Sequence, residues 1–234
     1  MFKLALDAGH GAGTAGKRAL RSLDAAETRE WQLNDRVCDY IEAALRDWEG
    51  CTLLRLDDAD DGSGDVPLSA RVRRANEWGA DLYLSIHHNA GANGTSAGGI
   101  VAFSYPAAPE ETVAWRDALY DSLAAFTGLR GNRAMPKTTA GFYVLKYTAM
   151  PAVLLELGFM DSTSDTPVIL SDAYAVQCAS AIVHTLVQRV PLQRSAGTGR
   201  LYRVQSGAFT QLAQAEARRD ALAAAGFEAY IVSS

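Results

Sequence analysis

Short β-rich runs alternate with longer segments of helical period along this chain, an order of elements met by a parallel or mostly parallel sheet with helices packed on it. The runs Lys3–Ala8, Cys51–Leu56, Asp81–His87, Gly99–Tyr105, Phe142–Lys146 and Ala152–Leu157 are the predicted strands. Trp31, Leu33, Val37, Tyr40, Ile41, Ala44, Leu45 and Trp48 recur at three- and four-residue intervals, which predicts one long amphipathic helix stopped at Gly50. Pro67 to Trp78 with Gly79 as C-cap, Pro109 to Gly128, and a segment that opens at Ser171-Asp172 and ends before Pro191 predict three more helices. The expected fold class is α/β: a mostly parallel, roughly six-stranded twisted sheet with helices on both faces, plus a small C-terminal βαβ unit.

With 234 residues, 48% of them hydrophobic, the chain can bury one full-sized α/β core and a small appendage. Pro191–Arg200 is small, polar and glycine-containing, so the expected organisation is a catalytic-sized domain over 1–190, a linker over 191–200 and a tail over 201–234. The tail reads strand, helix from about Gln211 to Ala225, and strand. No apolar stretch approaches the roughly 20 residues of a bilayer span. Met1-Phe2-Lys3-Leu4 runs into Asp7 and His10 without the marks of a secretory signal, so synthesis in the cytoplasm is expected. Three cysteines (Cys38, Cys51, Cys178), an odd number without a CxxC pair, read as core fillers. A net charge of −5 argues against a nucleic-acid polyanion as the main partner, and nothing marks a membrane-surface helix.

Three apolar runs end in a metal-ligand or acid–base residue: KLALDAGH at His10, DLYLSIHH at His87 and His88, and AVLLELG at Glu156. Sites in open α/β sheets form outside the carboxyl ends of the strands, so these side chains converge on one crevice. Glu30, at the start of the long helix, can point into the same space. Two imidazoles and one carboxylate suit a catalytic zinc, with ligand distances of about 2.0–2.2 Å and an open position for water. Glu156 is then left as the proton-transfer group. Taken singly, a histidine after a strand is more often a hydrogen-bonded structural residue, and Glu30 also reads as an acid favouring a helix N-terminus. Yet three of the four histidines lie at strand ends, with only His184 in mid-helix. A carboxylate within Val153-Leu154-Leu155-Glu156-Leu157 is costly to bury unless paired or functional. A rival reading comes from Gly11-Ala12-Gly13-Thr14-Ala15-Gly16, which matches the GxGxxG of nucleotide-binding oxidoreductases. That fingerprint demands a helix opening at once and a second strand within about 30 residues, whereas the next predicted strand starts at Cys51.

Taken together, these segments resemble the zinc-dependent N-acetylmuramoyl-L-alanine amidases of the type 3 family. Asp7-Ala8-Gly9-His10-Gly11 is similar to that family's opening D-x-G-H-G, although Ala8 stands where proline is common, and Glu30-Trp31-Gln32-Leu33-Asn34 is similar to its E-x-x-x-N. Arg71-x-x-Arg74-Ala75-Asn76, then Ser85-Ile86-His87-x-Asn89-Ala90, then Val153-Leu154-Leu155-Glu156-Leu157-Gly158-Phe159 follow in the family's order. The resemblance selects His87 over His88, and Glu30 over Glu27 because Asn34 lies four residues after Glu30. It implies Zn²⁺ held by His10, Glu30 and His87, with Glu156 catalytic, in a peptidoglycan hydrolase that cuts between the lactyl group of N-acetylmuramic acid and L-alanine of the stem peptide. The tail from Leu201-Tyr202-Arg203-Val204 to Phe227-Glu228-Ala229 resembles half of a sporulation-related (SPOR) domain, which implies glycan strands as partner. One βαβ unit leaves bare strand edges, and pairing two tails about a two-fold axis is the expected way to cover them, giving a homodimer. Both a phage endolysin released by a holin or by cell lysis and a bacterial autolysin fit this reading, as does a non-catalytic peptidoglycan-binding protein.

Overall fold

The computed structural model describes residues 1–57, 64–131, 135–195, 207, 209–224 and 231. It divides into two compact units, Met1–Ser195 and Ala196–Ser234. The first unit runs β1 (Phe2–Ala8), α1 (Glu30–Leu45), β2 (Trp48–Glu49), β3 (Cys51–Arg55), α2 (Leu68–Trp78), β4 (Leu82–Asn89), β5 (Ile100–Ser104), α3 (Glu110–Thr127), β6 (Lys137–Thr139), α4 (Tyr143–Lys146), β7 (Ala152–Phe159), α5 (Thr166–Ile169), α6 (Asp172–Arg189) and β8 (Gln193–Arg194). Six strands form one sheet in the order β3-β1-β4-β7-β5-β6. Every neighbouring pair is parallel except β5 with β7.

Both faces of this sheet are covered, which is why its central strands read as nearly continuous apolar runs. Leu4, Leu6, Leu84, Ile86, Val153 and Leu155 pack on Leu33, Val37 and Ile41 of α1, with Leu119 of α3 and Ile182 of α6 in the same core. The alternate residues, among them Ala5, Tyr83, Val101 and Leu154, meet Val72 and Ala75 of α2 and Val144 and Leu145 of α4. Helix ends follow local chemistry. The Gln32 side chain accepts from the Arg29 amide at 2.9 Å to open α1, Ser171 Oγ accepts from the Tyr174 amide at 3.2 Å to open α6, and Gly79 closes α2 in the left-handed region. Cys38 and Cys178 are buried and Cys51 is half-buried.

The predicted strand at Phe142–Lys146 is instead the single helical turn α4. Its burial explains the difference, because consecutive Val144 and Leu145 both enter one core while Phe142 and Tyr143 stay exposed, a pattern that an alternating strand cannot produce. The sixth strand is Lys137–Thr139, an edge strand whose Lys-Thr-Thr sequence carries no apolar signal. Part of the expected linker is also structured, since Gln193–Arg194 pairs antiparallel with Trp48–Glu49.

In the second unit the helix α7 spans Leu212–Ala224, close to the expected range. The strands expected on either side of it fall outside the described residues, apart from Gly207, Phe209 and Ile231. Among the described residues no helix is long and apolar enough to cross a membrane.

Candidate metal centre

The carboxyl ends of β1, β4 and β7, adjacent in the sheet, bring the candidate residues together. His10 follows β1 with φ of 66°, a left-handed backbone uncommon for a residue with a side chain. Two donors hold this turn: Arg71 Nη2 donates to the His10 carbonyl at 2.9 Å, and Asn34 Nδ2 donates to the Gly9 carbonyl at 3.0 Å. His87 lies on β4 opposite Glu156 of β7 in the sheet register. Its imidazole rests against Gly9, where a Cβ would come within 2.1 Å of His87 Cε1. Glu30, the first residue of α1, is 2% exposed.

Glu30 stands between the two imidazoles, with Oε2 3.1 Å from His10 Nε2 and Oε1 2.9 Å from His87 Nδ1. The rings meet edge to face, their centroids 5.0 Å apart. Burial opposes ionisation of Glu30, but the hydrogen bonds from His10 and His87 outweigh it and hold the carboxyl well below its usual range. Burial likewise opposes protonation of His87, and the bond to Glu30 together with the charge of Glu156 raises its pKa nevertheless. One donor atom from each of His10, Glu30 and His87 lies within 4.8 Å of the others, the only such cluster among the described residues. Two imidazole nitrogens gathered around a buried anionic oxygen are the donor set of a divalent cation such as zinc, so these residues fit a metal.

A buried support layer fixes these groups. Asp7, 2% exposed, is paired with Arg71, 1% exposed, and accepts from the Tyr83 and Ser85 hydroxyls, each at 2.8 Å. Burial pushes the Asp7 carboxyl up, and the Arg71 guanidinium more than reverses this. Arg71 also donates to the carbonyls of Ala8 at 2.6 Å and Val66 at 2.8 Å, so one side chain ties α2 to the turn that carries His10. The structural roles of Asp7, Asn34, Arg71, Tyr83 and Ser85 were not evident from the sequence patterns, although a charged Asp7 within an apolar strand is the same signal that marked Glu156.

His88 does not join the cluster. Its Nδ1 lies 2.8 Å from Asn34 Oδ1; because the Asn34 amide nitrogen faces the Gly9 carbonyl, His88 must be the donor in that contact. Burial pulls its pKa down to about 3, which keeps the ring neutral. Glu27 pairs with Arg21 at 3.1 Å, and the His184 ring packs on Phe126. Glu156 lines two clefts that meet beside the cluster, of about 380 Å³ and about 580 Å³, and both clefts also contain His10 and His87.

The Gly11–Gly16 loop does not behave as a dinucleotide fingerprint, because no helix opens there and α1 begins only at Glu30. Gly11 is required by packing, since a Cβ would lie 2.2 Å from the Gly64 carbonyl oxygen.

The sequence profile described as N-acetylmuramoyl-L-alanine amidase matches residues 4–188. The chain belongs to that family. The amidase is 32% identical over 232 residues to N-acetylmuramoyl-L-alanine amidase CwlM of Bacillus licheniformis, covering 99% of this chain and 85% of that one. It is 30% identical over 233 residues to the sporulation-specific N-acetylmuramoyl-L-alanine amidase of Bacillus subtilis, with the same coverage of each. The crystal structure of an N-acetylmuramoyl-L-alanine amidase from Clostridium difficile 630 superposes with a TM-score of 0.72 at 24% identity, over 84% of this chain and 98% of that one, which shows the shared fold. A SPOR-domain profile matches residues 171–233. Its first part overlaps α6, whose Tyr174, Cys178 and Ile182 belong to the amidase core. The amidase is thus a peptidoglycan hydrolase.

Proposed function

We propose that the amidase cleaves the bond between the lactyl group of N-acetylmuramic acid and L-alanine with a zinc ion held by His10, Glu30 and His87, and with Glu156 as general base. The observation that carries this reading is the convergence of two imidazoles and a buried carboxylate, within 4.8 Å of one another, on a cleft that Glu156 also lines. When bound, zinc supplies Lewis-acid polarisation of the amide carbonyl and lowers the pKa of water toward about 7. Glu156 takes a proton from the attacking water and delivers it to the alanine nitrogen as the carbon–nitrogen bond breaks, a role worth about 10²–10⁴-fold. Asn34 and Arg71 hold the Gly9-His10 backbone in place during this exchange. Elemental analysis of the purified protein, combined with release of new N-terminal alanine from cell walls, tests the reading. Stoichiometric zinc and alanine release are expected; turnover that survives complete metal removal would refute it.

The proposed division is a catalytic domain, extended past the expected 190 to Ser195 by the pairing of Gln193–Arg194, and a half SPOR-like glycan-binding repeat over 201–234, supported by the separate compactness of the two units and the SPOR match. Pairing of two such tails into a homodimer is the arrangement we propose, on the ground that a lone βαβ unit, as the sequence pattern predicts for the tail, would leave strand edges to cover. Light scattering on the full chain decides it, a monomer at micromolar concentration being the refuting result. Action is on the cell wall.

A further inference from the structure

The two clefts that meet at Glu156 differ in lining: Arg18 and Glu30 border only the smaller, Asp7, Asp65 and Arg71 only the larger. The smaller one is lined by Lys17, Arg18 and Asn89. The larger one is lined by Leu68, Phe142 and Tyr143, with the Asp65 carboxylate among them. Lys17 reaches both clefts and Arg18 only the smaller. Arg71 also borders the larger cleft, but its guanidinium is already engaged by Asp7, by Asp65 at 3.5 Å and by the carbonyls of Ala8, His10 and Val66.

The segment that presents Lys17 and Arg18 is fixed through its backbone. Glu30 N donates to the Lys17 carbonyl at 3.0 Å, Arg18 bridges to Arg29, and Ala19, 2% exposed, donates to the Thr28 carbonyl at 2.9 Å. The two side chains are exposed, and neither forms an ion pair among the described residues. In a protein of net charge −5, two cations without an ion pair among the described residues, lining the candidate site, run against the overall field.

A substrate cut at the lactyl–alanine amide has two chemically unlike arms. One is an uncharged amino sugar with apolar ring faces; the other is a peptide that carries carboxylates. We propose that Lys17 and Arg18 are specificity-determining residues that receive a stem-peptide carboxylate in the smaller cleft, while the sugar lies in the larger cleft against Phe142 and Tyr143. Phe142 and Tyr143 are 41% and 39% exposed, so their rings are available to the face of a sugar. The proposal rests on the amidase reading above and adds an orientation of the substrate to it.

The test compares two soluble muropeptides, one with free stem carboxylates and one with the same carboxyls amidated, using the zinc-loaded full chain. For the Lys17→Gln/Arg18→Gln double variant, KM for the acidic substrate should rise about tenfold with kcat little changed, while KM for the amidated substrate moves less than about twofold. The charge-preserving pair Lys17→Arg/Arg18→Lys should restore KM. In the wild type, added salt should raise KM for the acidic substrate alone, which gives a second measurement that needs no variant. Equal changes for both substrates, a change confined to kcat, or a salt-insensitive KM would overturn the proposal. If the wild type released alanine from neither muropeptide, the underlying amidase assignment would fail first, and visibly so.

Discussion

At Gly9 the backbone passes so close beneath the His87 ring that no side chain fits between them, since a Cβ would sit 2.1 Å from Cε1 and 2.3 Å from Nε2. Gly9→Ala should therefore displace the imidazole, cost about 1–3 kcal/mol of stability and reduce zinc uptake, read by thermal unfolding and metal titration. A variant that kept full zinc affinity would show that His87 is not held where a ligand must be. Glu156→Gln is the complementary case. The amide is nearly isosteric but cannot accept the proton, so the variant should retain its zinc and melting temperature while turnover falls about 10²–10⁴-fold. Loss of zinc along with activity would instead place Glu156 among the ligands. At this scale the sequence was informative wherever a polar residue interrupts an apolar run, which is how His10, His87 and Glu156 stood out. It could not separate His87 from His88 by pattern, because both directly follow the same apolar run and only their contacts, Glu30 for His87 and Asn34 for His88, tell them apart in the fold. Nor could it pair Asp7 with Arg71, which are 64 residues apart in the chain and meet only once β1 and α2 have docked.

Between α1 and the edge strand β3, one guanidinium serves several carboxylates. Arg55 bonds Asp35 at 2.6 Å, Asp39 at 2.8 Å and Asp57 at 2.6 Å. Burial and the neighbouring Asp39 push the Asp35 carboxyl up to about 6 despite Arg55. An acid whose pKa is higher in the fold than its ordinary 3.8 binds its proton more tightly there, so its ionisation weakens the fold progressively between pH 3.8 and about 6. Asp35→Asn removes that titration. Relative to the wild type, the stability of the variant should improve across this window and then stay level up to pH 8, as followed by urea unfolding at a series of pH values. Asp7 contributes with the opposite sign, because its pKa is depressed in the fold; the stability it confers is present above pH 3.8 and is lost as the pH falls through its lower folded value. Elements were legible where periodicity was strong: α1, α2, α3, α6 and the apolar strands lie close to their expected bounds. Short elements were not. A four-residue helix such as α4 completes barely one turn, and β6 has no buried apolar side chain to betray it.

For the whole molecule, chelation should abolish alanine release and added zinc should restore it. Because zinc binds the folded site, about 100-fold excess over its dissociation constant should stabilise the protein by about 2.7 kcal/mol and raise the melting temperature by about 5–10 °C. No shift with zinc would argue that His10, Glu30 and His87 do not bind it. The pairing of Gln193–Arg194 with Trp48–Glu49, inside the stretch read as a linker, depends on a contact that local composition does not encode. Two of the candidate ligands, His10 and His87, come from the carboxyl ends of β1 and β4, beside β7, while Glu30 comes from the start of α1; neighbouring strands are held about 4.8 Å apart by their hydrogen bonds. The sheet itself is therefore the ruler that spaces the two imidazoles. Amide hydrogens at these strand ends should exchange only through openings close to global unfolding, with or without metal. With zinc bound as proposed, such an enzyme would surrender its ion and take up another without rebuilding the cradle, so exposure to a metal-poor medium would silence it reversibly.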